Sequence, residues 1–197
     1  MIYHVTDDPK EMFRTSAVSD LFLTTSNSVI RVNNRTLVMG AGHAKAMVQH
    51  FDPEGKHGLE HRFALKVQEK VEALHGAGFY PELRPNDVPY GYMRKSKKYL
   101  VYYSYGVIIS ENWPKSKLGL FQTKDNWLNK SRLGLIEFSV RELVRQMKWM
   151  QKVLKRAPRV DMPFPGIGNG GLKEYDVRHL LKNLEDNVHI WKLVDPA

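Results

Sequence analysis

Two stretches of the chain share one layout that restricts the folds open to it. "TLVMGAGHAKAM" (residues 36–47) runs from an apolar segment through Gly40, Ala41 and Gly42 directly into a helix-forming segment. "DMPFPGIGNGGLKEYDV" (161–177) does the same through the turn Gly166 to Gly171. Glycines let a backbone bend tightly and approach a ligand, and the helix that follows leaves its first N–H groups open to an anion. Phosphate is the natural guest. In an α/β sheet, turns at the carboxyl ends of strands gather on one edge, so these two can face each other and share a diphosphate. The bland alternative is that both are only strand-to-helix turns. The first is neither a dinucleotide fingerprint nor a P-loop, because Lys45 stands where its third glycine would fall.

The rest of the chain alternates in the same manner. "MIYHV", "SVIRVNN", "YLVYYSYGVIIS", "KLGLF", "RVDMPFP" and "VHIWKL" read as strands. Leu59, Phe63, Val67, Val71 and Leu74 step by four, four, four and three and predict one helix, and "KEYDVRHLLKNL" predicts another. Ile136, Val140, Leu143, Met147, Met150 and Leu154 alternate steps of four and three along a long amphipathic helix, where Trp149 and the methionines read as packing. Strand and helix in turn argue an α/β architecture with a mixed sheet. "FYPELRPNDVPYGYMRKSKK", with its prolines and the cluster Arg94, Lys95, Lys97 and Lys98, reads as a long loop. It places an insertion within residues 55–117 of one domain spanning 1–197.

Composition closes off several function classes. With 42% hydrophobic and 26% charged residues over 197 positions, the chain is of the folded soluble class. It has no cysteine, which excludes disulfides, thiolate metal sites and a thiol nucleophile. No apolar run approaches the roughly 20 residues of a membrane span, and "MIYHVTDDPKEMF" lacks the order of a secretory signal, so no membrane partner and a cytoplasmic location are expected. His57 and His61 stand four apart without a third ligand, so neither a metal nor a cofactor is expected. The net charge of +9 favours polyanionic partners and admits a basic nucleic-acid-binding protein as one function class.

"SDLFLTTSNSVIRVNNRTLVMGAGHA" resembles the opening of a macro domain, the ADP-ribose-binding α/β/α module, and "DMPFPGIGNGGL" resembles that family's second loop. Between them, "GLFQTKDNWLNKSRLGLIEFSVRELV" is similar to a segment of one branch. That branch holds the DNA ADP-ribosyl glycohydrolase antitoxins and relatives that remove ADP-ribose from protein glutamates. The resemblance runs from about residue 15 to the end of the chain and implies a three-layer α/β/α fold.

It also implies roles. Asp20 would bind the adenine amino group, and Asn34 would hold the distal ribose beside the chemistry. Gly40, Ala41 and Gly42, with Ile167, Gly168, Asn169, Gly170 and Gly171, would wrap the diphosphate through backbone N–H groups. Lys124 would be the reactive amine, able to attack a ribosyl anomeric carbon once burial depresses its pKa. His43 stands where the family has an aliphatic residue; it is a ligand-contacting or general-base candidate, as in macro-domain phosphatases acting on ADP-ribose phosphate, or a helix residue with no chemistry. The second loop is shorter than in the enzymatic branch and has no acid; Asp125, Glu174 and Asp176 are the substitutes. Three functions follow: an ADP-ribosyl hydrolase acting on nucleic acid or protein, an ADP-ribose-binding module without turnover, and a basic nucleic-acid binder.

Overall fold

The middle of the fold is Leu21–Ser26 (β2), a run without charge whose first four residues are wholly removed from solvent. A segment buried on both faces belongs at the centre of a parallel sheet. The sequence reading has its strand later, at "SVIRVNN", which forms only the short Val29–Arg31 (β3) outside the main sheet. The computed structural model describes residues 1–56, 58–75, 98–101, 105–110 and 117–194. His57 and Arg94, Lys95 and Lys97 lie outside them.

Around β2 the six-stranded sheet is ordered Ile2–Thr6 (β1), Val188–Leu193 (β8), Val160–Pro163 (β7), β2, Lys117–Gln122 (β6) and Val107–Ser110 (β5). All neighbours run parallel except β5, which pairs antiparallel with β6. "YLVYYSYGVIIS" is therefore not one strand. Its start, Tyr99–Val101 (β4), pairs with β3 in a separate two-stranded ribbon, and Gly106, at φ +73°, precedes β5.

Helices cover both faces. Pro9–Arg14 (α1) begins at Asp8, whose side chain caps the N–H of Lys10 at 2.8 Å. With Gly42–Phe51 (α2) and Leu59–His75 (α3) it packs on the face of β2 that carries Phe22; Met12, Phe13, Met47, Phe63 and Val67 fill the space with Leu118 and Leu120 of β6. Leu133–Leu154 (α4) and Glu174–Arg178 (α5) cover the other face, where Ile136, Val140, Leu143, Met147 and Met150 meet Leu21, Leu23 and Phe121. The alternation along β2 thus sends successive side chains into two cores, giving three layers.

β7 takes a charge into the interior. Asp161 is fully buried and accepts hydrogen bonds from Arg159 Nε at 2.8 Å, Ser19 Oγ at 2.5 Å and Trp191 Nε1 at 2.9 Å. A buried carboxylate persists only with partners of this kind.

Candidate functional site

β2, β6 and β7 are parallel, so their carboxyl ends share one edge of the sheet. There the N–H of Thr123 donates to Ser26 O at 3.0 Å, tying the exit of β6 to that of β2. Lys124 follows β6, the first glycine turn follows the β2–β3 segment, and the second follows β7.

At the first turn Gly40, Ala41 and Gly42 are exposed. Ala41 is the extended N-cap of α2 and no side chain caps the helix, so its first N–H groups face outward with the positive end of the helix dipole. Gly42 adopts φ +57°, a left-handed conformation that suits glycine. The second turn, Gly168 to Gly171, is a 3-10 turn backed by Ser131, whose N–H donates to Gly170 O at 2.7 Å. A Cβ on Gly170 would come 2.6 Å from Ser131 Oγ, so the backing itself requires glycine. Ile167 turns its side chain into the core under α4, which leaves only its backbone toward the turn.

The two turns meet at Asn169. Its exposed carboxamide reaches across to the first turn, where a Cβ on Gly42 would stand 2.7 Å from Nδ2. Its backbone carbonyl accepts from Lys124 Nζ at 3.2 Å, and the same amine lies 3.4 Å from Trp127 O. Burial holds the Lys124 amine below the ordinary lysine pKa. No ion pair among the described residues includes Lys124, so no carboxylate opposes that shift.

The segment carrying Lys124 is fixed from both sides. Asp125 is buried, pairs with Arg132 Nη1 at 2.5 Å and accepts from Ser28 Oγ through its backbone carbonyl. Trp127 packs with Val29, Val38 and Tyr99, its ring centroid 4.9 Å from that of Tyr99. Of the acids considered as partners for Lys124, Asp125 is thus held by Arg132, and Glu174 by Lys192 at 2.6 Å and by Arg178.

Three expected site residues lie elsewhere. Asp20 precedes β2 and its carbonyl accepts from Lys117 N at the start of β6, which places it on the amino edge of the sheet, opposite both turns. Arg156 grips its carboxylate with two bonds of 2.6 Å, which together with the N–H of Arg159 holds its pKa below the ordinary range. Asn34 is exposed at the tip of the loop between Arg31 and Thr36, where its carboxamide accepts from Thr36 Oγ1 at 2.7 Å. The His43 ring points inward, with Nδ1 2.8 Å from Thr24 Oγ1 and Nε2 3.1 Å from Met12 Sδ, stacked against Phe13. Burial pushes its pKa down to about 3, so it is a neutral core histidine and not a base at the turn.

Other residues occupy the carboxyl edge. Asn27 directly follows β2; it is buried, donates Nδ2–H to Val38 O at 2.9 Å and accepts from Val29 N at 2.8 Å, bracing the approach to the first glycine turn. Asp7 directly follows β1, is exposed, and has no ion pair among the described residues. The end of β2, read correctly, would have pointed to Asn27. Lys98 is exposed beside β4. Among the described residues no group of three His, Asp or Glu side chains is placed to hold a metal ion.

No protein-family model matches the sequence, and no curated protein matches it. Solved structures do match. The macrodomain of Thermus aquaticus DarG superposes with a TM-score of 0.56 at 16% identity, covering 98% of each chain. The macrodomain of Mycobacterium tuberculosis DarG gives 0.53 at 18%, covering 98% of this chain and 99% of that one. Thermosipho africanus DarTG, solved in complex with ADP-ribose, gives 0.53 at 21%; all of this chain covers 43% of that longer one. The fold is that of a macrodomain.

Proposed function

We propose that the protein binds ADP-ribose between the two glycine turns and releases it from an ADP-ribosylated nucleic acid or protein, with Lys124 as the attacking amine. The observation that carries this reading is the meeting of both turns and the Lys124 amine at Asn169. The open N–H groups of α2 and of the second turn suit a diphosphate. Lys124 then stands beside the second turn, within reach of a ribose attached to that diphosphate. Its nitrogen bonds to the anomeric carbon as the bond to the acceptor breaks, and the proton it sheds goes to the departing acceptor. Water displaces the lysine, restoring the amine and freeing ADP-ribose. The likeness to a DarTG structure holding ADP-ribose supports this choice of ligand. The test offers ADP-ribosylated DNA and protein to the wild type and to Lys124→Ala. Release by neither enzyme sinks the hydrolytic reading and leaves binding without turnover.

The adenine contact expected of Asp20 falls instead to Asp7, an exposed carboxylate without an ion pair among the described residues, on the edge that carries the turns. Titration calorimetry with free ADP-ribose checks this: Asp7→Ala weakens binding about tenfold, the loss of one hydrogen bond to a charged group, while Asp20→Ala leaves affinity unchanged. The reverse result would return the role to Asp20.

Gly42→Val tests the first turn. A β-branched residue at φ +57° is strained, and its Cβ displaces the Asn169 carboxamide. The expected cost is about 1–2 kcal/mol of stability by thermal unfolding, with loss of most ADP-ribose affinity in the same calorimetric titration. Retained affinity would show that the turn does not hold the ligand.

A further inference from the structure

The last turns of α4 carry a surface that the crevice does not use. Trp149 reads from the sequence as packing, and its neighbours Met147 and Met150 are indeed buried, yet Trp149 is 56% exposed and Val153, one turn on, is 58% exposed. Alongside them Arg141, Arg145, Lys148 and Lys152 recur at steps of four, three and four, which aligns them as one stripe on the solvent side. Lys155 and Arg156 follow, and Lys117 at the start of β6 sets its Nζ 5.4 Å from the centre of the Trp149 ring.

The acids near this stripe do not neutralise it. Arg141 pairs with Glu137, Arg145 with Glu142 and Arg156 with Asp20, whereas Lys148, Lys152 and Lys155 have no ion pair among the described residues. Between Glu142 and Asp161 the chain has six basic residues and no acidic one. The dipole at the end of α4 accounts for a lysine in the last turn, but not for an indole left in water beside it.

We propose that this end of α4 binds single-stranded nucleic acid. Lysines free of carboxylates are suited to phosphates, and an exposed indole offers a platform on which an unpaired base stacks. A duplex hides the faces of its bases and would leave Trp149 unused. A bilayer would need a broad apolar face, and α4 has buried its own against the sheet, leaving Trp149 and Val153 with part of Leu154. Charge complementarity therefore favours a flexible polyanion with accessible bases. Lys117 and Asp20 fix the surface at the amino edge of the sheet, opposite the glycine turns. It is separate from the proposed ADP-ribose site and does not depend on it.

Fluorescence anisotropy of a labelled 15-nucleotide oligothymidylate, with the whole protein across a salt series, tests the proposal. Trp149→Ala is expected to weaken binding by about tenfold or more. Lys148→Gln with Lys152→Gln should reduce the slope of log affinity against log salt by about 1.4, the share of two phosphate contacts on a single strand. Excess free ADP-ribose should displace none of the oligonucleotide, and circular dichroism should show the variants folded. No binding, equal binding by Trp149→Ala, or equal affinity for a duplex of the same length would overturn the proposal. Sedimentation with phosphatidylserine vesicles that depends on Trp149 while the oligonucleotide goes unbound would reassign the surface to a membrane.

Discussion

Replacing Lys124 with alanine is expected to reduce release of ADP-ribose from a modified acceptor by about a thousandfold or more, the scale of losing an attacking group. Binding of free ADP-ribose should persist, because the proposed grip on the diphosphate comes from backbone N–H groups of the two turns. That separation distinguishes a nucleophile from a mere contact. Arginine at the same position should fail as well, since a guanidinium keeps its proton at any pH the protein survives. For the wild type, turnover should rise with pH, because only the neutral amine attacks and its neutral fraction grows as pH approaches the lysine pKa. Burial lowers that pKa, so the rise comes at lower pH than for a solvated lysine. Equal release by wild type and Lys124→Ala would remove the lysine from the mechanism.

The second large effect is on stability. Asp161→Ala should lower unfolding free energy by about 3 kcal/mol, the lower end for breaking a buried ion pair, because Arg159 keeps part of its surface in water. For a chain of this length that is a fall of roughly 6–12 °C in Tm. The loss reaches beyond the pair: the indole N–H of Trp191 loses its acceptor, and the hydroxyl of Ser19 is left with Thr15 O alone. Burial by itself would raise the Asp161 pKa, but the bonds from Arg159, Ser19 and Trp191 outweigh it and hold the carboxyl below the usual range. A depressed folded-state pKa means that this stabilisation is present above the unfolded carboxylate value of about 4 and is lost as pH falls through the folded one. Unfolding in urea from pH 7 down to pH 3 should therefore show an acid-side loss in the wild type that Asp161→Asn flattens. An Asp161→Ala protein as stable as the wild type would refute this account.

Residue type revealed more of this protein than residue position did. The two glycine turns are legible because tight bends and open helix starts are properties of particular residues wherever the sheet lies. Asp20 is not legible from the sequence in this way, because an edge is a property of strand direction. With the strand read at "SVIRVNN", the asparagine ending it is Asn34; with the strand at Leu21–Ser26, it is Asn27, and Asp20 becomes the entrance to β2. His43 could not be read locally either. Its ring packs against Met12 and Phe13 of α1, about thirty residues earlier in the chain, and nothing in "GAGHAKAM" announces that contact. Trp149 shows the opposite limit: it lies off the apolar period, on the solvent side of α4 between exposed Lys148 and buried Met150.

The junction at Asn169 has a consequence for any attempt to dissect the molecule. Its parts come from a helix start near residue 42, a strand exit at 124 and a turn 45 residues farther along. No proteolytic piece that stops short of β7 holds all three, so if the junction binds the proposed ligand, its retention would report that the chain through the second turn has folded.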